Sequence, residues 1–216
     1  MRNLSNFLLL FLLTSCSSLD KGNLAPGYSQ AYTAFKNAIF GYENKIDPNI
    51  ILNIPYASMI VRIGKGPQAL MILESIKDED YTWVSADEVY LVTRNGIVIK
   101  TYGLHNNLVE RASSFKNWKD VSISNQEFIS YLSFDNPELN NLKTLSTFEI
   151  DGSQQEQLMF SKKKLTNISE QLSSSRIGWR EENLYWIDEN EFVWKSVQHI
   201  SPKLPPLFIE VTKKPR

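Results

Sequence analysis

The sequence predicts a mainly β protein: an antiparallel β-barrel-like domain, with a β-sandwich as the alternative closure, preceded by one amphipathic helix. Three observations carry this reading. From about residue 50 onward, short β-branched and aromatic runs are broken by Gly, Pro, Asn and Asp, the texture of an all-β domain. Between two such runs stands Asn95-Gly96, the pair that best satisfies a type I′ hairpin turn, which needs positive φ at both central residues. Upstream, Tyr28, Tyr32, Phe35, Ile39 and Tyr42 recur at alternating spacings of four and three, which places them on one helix face.

The first element is not structural. After Met1 and Arg2, the run Phe7 to Leu13 is wholly Leu and Phe. It is far shorter than the roughly 20 residues a membrane-spanning helix needs, and suits the apolar region of a secretory signal peptide. The run ends in Leu13-Thr14-Ser15-Cys16, which resembles a bacterial lipobox. In that motif the Cys thiol receives a diacylglyceryl group, the chain is cut before it, and the new amino group is acylated. One acyl chain holds a protein at a membrane only marginally, whereas two or three hold it stably. Cys16, the only cysteine, is therefore expected to be the lipidated residue. Ser17 follows it instead of the Asp that commonly retains such proteins at the inner membrane, so the expected location is the outer membrane, lipid-anchored at its periplasmic face.

The expected organisation is a lipoprotein signal peptide over 1–15, a lipidated tether over 16–27 and a single β-rich periplasmic domain over 28–216. The tether "SSLDKGNLAPG" mixes Ser, Gly, Pro and charge without periodicity, as a flexible linker does. A helix is predicted over about 28–44. The clearest strand segments are "SMIVRIG", "QALMILES", "YTWVSA", "EVYLVTR", "IVIKTYG", "STFEID", "EQLMFSK", "LYWID", "EFVWKSVQ" and "PLFIEVTK". "YTWVSADEVYLV" and "LYWIDENEFVWK" look loosely alike, each placing Tyr and Trp before an acidic turn and a second strand. Around 105–145 the alternation fails, and "QEFISYLSF" reads as a short helix or turn segment. A long antiparallel sheet must hide its edges, and a barrel or a sandwich does so.

Composition limits the function. The 216 residues are 42% hydrophobic, 12% aromatic and 22% charged, enough for one well-cored domain. A net charge of −1 supplies no field for nucleic acid. "RIGKGPQA" has glycines and a lysine but lacks the spacing and following helix of a phosphate loop, so it reads as a tight turn. Only His105 and His199 are available as imidazole ligands, so neither a metal nor a cofactor is expected. No nucleophile elbow is present, and 24 acids could furnish a hydrolytic carboxylate pair anywhere, a signal with no specificity. Lys162-Lys163-Lys164 reads as a solvated loop. What remains is aromatic and basic. The tryptophans are Trp83, Trp118, Trp179, Trp186 and Trp194; indole faces stack on sugar C–H surfaces as well as filling cores, and Arg62 and Arg94 lie in or beside apolar strands, where they would pair, snorkel or contact an anionic ligand. Trp83, Arg62, Arg94, Trp186 and Trp194 are thus the candidate glycan or partner contacts.

Together with the lipobox, "IPYASMIVRIGKGPQALMIL", "TRNGIVIKTYGL" and "SPKLPPLFIEV" resemble, in order and from about residue 30 to 213, the YjbF/GfcB family of outer-membrane lipoproteins from group 4 capsule and related exopolysaccharide loci. The resemblance implies a β-barrel-like domain and no known catalytic residue set. It also implies partnership with an outer-membrane β-barrel and periplasmic proteins of the same locus; such a lipoprotein would act either by binding glycan or by docking to the export barrel. Only Cys16 carries over as a functional residue. Two departures concern turns: "DENE", 188–191, lacks an expected glycine, for which Asn190 would adopt positive φ, and "LHNNL" lacks a nearby proline. The expected function is a non-enzymatic lipoprotein that assists export or assembly of a surface polysaccharide. A polysaccharide-modifying enzyme using an Asp/Glu pair and a structural assembly factor for an outer-membrane β-barrel are the alternatives.

Overall fold

The computed structural model describes residues 45–122 and 126–215. Every described residue lies in one compact unit. The expected signal peptide, the tether with Cys16 and the helix over 28–44 lie outside the described residues.

The described chain enters through a short helix, α1 (Pro48–Asn53), capped by Asp47, whose carboxylate accepts from the Asn49 N–H at 2.9 Å. Twelve strands follow: β1 (Ser58–Ile63), β2 (Gln68–Lys77), β3 (Asp80–Ser85), β4 (Tyr90–Arg94), β5 (Ile97–Tyr102), β6 (Leu108–Ser113), β7 (Glu127–Asp135), β8 (Glu138–Gln157), β9 (Lys162–Ser174), β10 (Trp179–Ile187), β11 (Val193–Gln198) and β12 (Leu207–Lys213). A 3₁₀ helix, Trp118–Ser122, connects β6 to β7.

All strands are in one antiparallel sheet of order β5-β4-β3-β2-β1-β12-β11-β10-β9-β8-β7-β6. The order is an up-and-down meander whose ends have met: β1 pairs with β12 from Ser58↔Lys213 to Ile63↔Leu207. The two edge strands, β5 and β6, lie against each other without a described ladder, so the barrel is nearly closed and has one seam. The expected barrel-like closure is what forms, and the sandwich is not needed to hide the edges.

Side chains stand in for the missing ladder. Gln198, inward on β11, accepts from the Val98 N–H at 2.9 Å and donates to the Gly96 carbonyl at 2.8 Å, as a neighbouring strand would. Near the other end of β5, the Thr101 hydroxyl accepts from the Leu108 N–H at 2.9 Å.

The interior holds three apolar clusters. One, around Met59, Met71, Trp83, Leu91 and Ile209, lies under β1–β4 and β12. A second centres on Trp118, Tyr185, Ile187 and Val193, and a third on Leu108, Leu132, Phe134, Leu142 and Leu172. A buried polar network joins strands across the barrel. Glu170 of β9 accepts from Arg111 Nη2 (3.1 Å), Ser146 Oγ (2.6 Å), Asn183 Nδ2 (2.9 Å) and Tyr185 Oη (2.7 Å). Burial pushes the Glu170 pKa up, but the Arg111 charge and the three neutral donors outweigh it and hold the carboxyl below its ordinary value. Burial, followed by the Glu170 charge, drives the Tyr185 phenol well above its ordinary value.

Several local expectations are corrected. "QEFISYLSF" is strand β7, with Phe128, Ser130, Leu132 and Phe134 buried in strict alternation. Exposed Ile129 and Tyr131 on the outer face, and Ser130 on the inner, disguise the period. Lys162-Lys163-Lys164 opens strand β9 instead of forming a loop. "EQLMFSK" is largely a turn, closed by the Leu158 N–H to Ser161 carbonyl bond at 2.8 Å. In "DENE" the positive φ falls on Glu191 (62°), not Asn190, because Asp188 Oδ1 accepts from the Asn190 and Phe192 N–H groups and thereby fixes the turn. "RIGKGPQA" is the β1–β2 turn, and Asn95 and Gly96 have φ of 51° and 76°, as a type I′ hairpin requires.

Candidate functional site

One end of the barrel opens into a cavity of about 340 Å³. The starts of β1, β3 and β11 converge there with the ends of β4 and β12, because an antiparallel meander brings alternate strand starts and ends to the same rim. Met59, Trp83, Ile209 and Val211 are its buried part. Tyr81, Phe192 and Trp194 are half-exposed around it, Trp118 comes from the 3₁₀ helix, and Asn95, Asn190, Glu191, Lys195 and Lys214 supply polar groups.

Each indole N–H in this cavity has an acceptor within the protein. Trp83 Nε1 donates to Thr93 Oγ1 on the paired strand at 3.0 Å, and Trp118 Nε1 to the Asn95 carbonyl at 3.0 Å. Trp194 Nε1 donates to Asp188 Oδ2 at 2.9 Å. The rings are thereby oriented without drawing on a ligand. Phe192 meets Trp194 edge-on at 5.0 Å, and Tyr81 lies 6.4 Å from Trp83. Lys163, which does not line the cavity, places its ammonium 4.3 Å from the Trp194 ring centre.

Asp188 organises this rim. Its two oxygens take the Trp194 indole and two turn N–H groups, and Lys214 Nζ lies 3.9 Å away. Burial acts to raise its pKa, but Trp194, the Phe192 and Asn190 N–H groups and Lys214 outweigh it, and the carboxyl titrates below its ordinary value. The carboxylate therefore keeps its charge, and the bonds to it, to lower pH than an ordinary Asp would.

Of the sequence candidates, Trp83 and Trp194 are brought together in the cavity. Arg94 lies just outside, fixed by a fork to Asp80 at 2.6 and 2.9 Å, and lines a second cavity at the seam. Arg62 stacks 4.2 Å from the Phe208 ring centre and donates to the Gly64 carbonyl at 2.8 Å. Trp186 is covered by the Lys195 ammonium at 4.7 Å, itself 2.5 Å from Glu156. Neither Arg62 nor Trp186 lines the aromatic cavity. Tyr81, Phe192 and Asp188 are additions from the structure, and Trp118 joins Trp83 and Trp194 from the five tryptophans of the sequence. The signal for Phe192 and Asp188 was the likeness of "YTWVSADEVYLV" to "LYWIDENEFVWK", which are the β3–β4 and β10–β11 hairpins. Among the described residues, no cluster of three His, Cys, Asp or Glu side chains is placed to hold a metal ion.

Comparison with known proteins agrees with this architecture. The lipoprotein YmcC of Escherichia coli K12, solved by crystallography, superposes with a TM-score of 0.70 at 24% identity, over 85% of this chain and 95% of that one, which supports the fold. The lipoprotein YjbF of Escherichia coli K12 is 24% identical over 93% of this chain and 92% of its own length. GfcB of the same organism is 27% identical over 62% of this chain and 65% of its own. Residues 32–212 match the family described as group 4 capsule polysaccharide lipoprotein gfcB, YjbF, and the chain belongs to that family.

Proposed function

We propose that this protein is a non-enzymatic outer-membrane lipoprotein, anchored through Cys16 at the periplasmic face, that assists export or assembly of a surface polysaccharide by holding the glycan in the aromatic cavity. The observation that carries the reading is the grouping of Trp83, Trp194, Tyr81 and Phe192 beside Asn and Lys side chains in a cavity of about 340 Å³. Pyranose rings present apolar C–H faces edged by hydroxyls, and an aromatic surface with polar groups at its margin answers both. Family membership supports the polysaccharide connection. Hydrolysis by paired carboxylates needs two facing acids, whereas this lining contains Glu191 as its carboxylate, paired to Lys119 at 3.6 Å, which favours holding over cleaving. Partnership with an outer-membrane β-barrel and periplasmic proteins of the same locus belongs to this proposal, since a tethered binder acts by delivering its ligand.

Deleting the gene is expected to reduce surface polysaccharide severely, with restoration by the wild-type gene but not by a Trp194→Ala allele expressed at equal abundance. Unchanged surface polysaccharide in the deletion strain would contradict the proposal.

A further inference from the structure

The seam between β5 and β6 holds a second cavity, of about 260 Å³, lined by Arg94, Arg111, Lys116, Asn95 and Glu79 among others. Three features set it apart from ordinary surface. Arg111 is buried, with 5% of its side chain exposed; it gives Nη2 to Glu170, while its Nε is buried without an acceptor in the protein. An unanswered buried donor is costly, and the side chain that carries it lines this cavity. Arg94 is held in place by its fork to Asp80, so its guanidinium is preorganised. Lys116 is exposed and makes no ion pair among the described residues.

Asn95 lines both this cavity and the aromatic one. Its side chain donates to the Lys116 carbonyl at 2.6 Å, and its own carbonyl accepts from Trp118. The β4–β5 turn is thus a shared wall, over which a chain of sugars in the aromatic cavity would have to pass to reach the seam.

We infer that the seam cavity is an anion subsite for a sugar carboxylate, so that the glycan held by this protein is an acidic one containing uronic acid. The inference rests on the glycan reading above and names its substrate class. Asp80 and Glu170 compensate Arg94 and Arg111, which leaves the Lys116 ammonium and the Glu79 carboxylate as the unpaired charges of the lining, a balance near zero. That balance suits a single carboxylate and disfavours a phosphate dianion.

The test uses the full-length lipoprotein in detergent micelles, titrated with cellobiose and with cellobiouronic acid at low and high salt. The expected result is about tenfold tighter binding of the acid at low salt, the order of effect of one charge-assisted hydrogen bond. Lys116→Gln, at an exposed position that does not threaten folding, narrows that preference to about twofold, and Trp194→Ala weakens both sugars. Equal binding of the two sugars by the wild type, or an undiminished preference in Lys116→Gln, overturns the acid subsite and leaves the glycan reading standing. Failure of the wild type to bind either sugar overturns both.

Discussion

Glu170→Gln is expected to destabilise the protein by about 3–5 kcal/mol, because it strands the Arg111 guanidinium in the barrel interior. For a domain of this size that lowers the melting temperature by roughly 6–20 °C. Adding Arg111→Met removes the stranded cation while the Gln oxygen still accepts from Asn183 and Tyr185, so the double variant recovers part of the loss. The pH dependence has a defined sign. The folded state holds Glu170 below its ordinary pKa, so the unfolded chain binds the extra proton first. The contribution is complete above the ordinary glutamate value of about 4.3, and it is lost as pH falls through the lower folded value. Denaturation curves from pH 7 to 3 should therefore show an acid loss that the Glu170→Gln protein lacks. A single variant within about 1 kcal/mol of the parent would remove the network from the account.

Gly96→Ala is the second large effect. Gly96 sits at φ 76°, and an added Cβ would stand 2.4 Å from both Cβ and Cγ2 of Val193. The substitution combines the left-handed penalty of about 1–2 kcal/mol with overpacking of about 1–3 kcal/mol. Gly178 provides the control: its φ is 67°, yet nothing lies within 4 Å of the built Cβ. Gly178→Ala should cost only the conformational part, about 1–2 kcal/mol. Chemical denaturation of the two variants separates packing from backbone strain, and equal losses would show that the close approach of the β4–β5 turn to β11 is not tight. This approach matters for function as well as stability, since Gly96 and Val193 both line the aromatic cavity.

The sequence was most readable where each strand buried one apolar face under Val, Ile, Leu and Trp. β1–β5, β11 and β12 carry that pattern, and their boundaries fall within a few residues of expectation. It was least readable on the opposite wall. There Ser146, Thr144 and Glu170 point into the barrel, while Ile129 and Tyr131 face outward. The polar network makes these inward positions affordable, and no local pattern announces a hydrogen-bond partner 59 residues away, as Arg111 is from Glu170. Half of the site was legible for a related reason. Trp83 and Trp194 advertise themselves by residue type, but their convergence depends on the closing of β1 against β12. In the sequence Asp188 is one more acidic turn residue; in the fold its oxygens accept from the Trp194 indole and two backbone N–H groups. Arg62 and Trp186 share the residue types of the site and serve surface packing instead.

The central claim is that the aromatic cavity holds the cell's surface polysaccharide. Its most direct test is the affinity of that purified polysaccharide for the full-length lipoprotein and for Trp194→Ala, with melting curves confirming that both are folded. The account predicts saturable binding by the wild type and about tenfold weaker binding by the variant, the effect of losing one aromatic face of about 1.4 kcal/mol. Equal affinity in the two proteins, or no binding by the wild type, would contradict it.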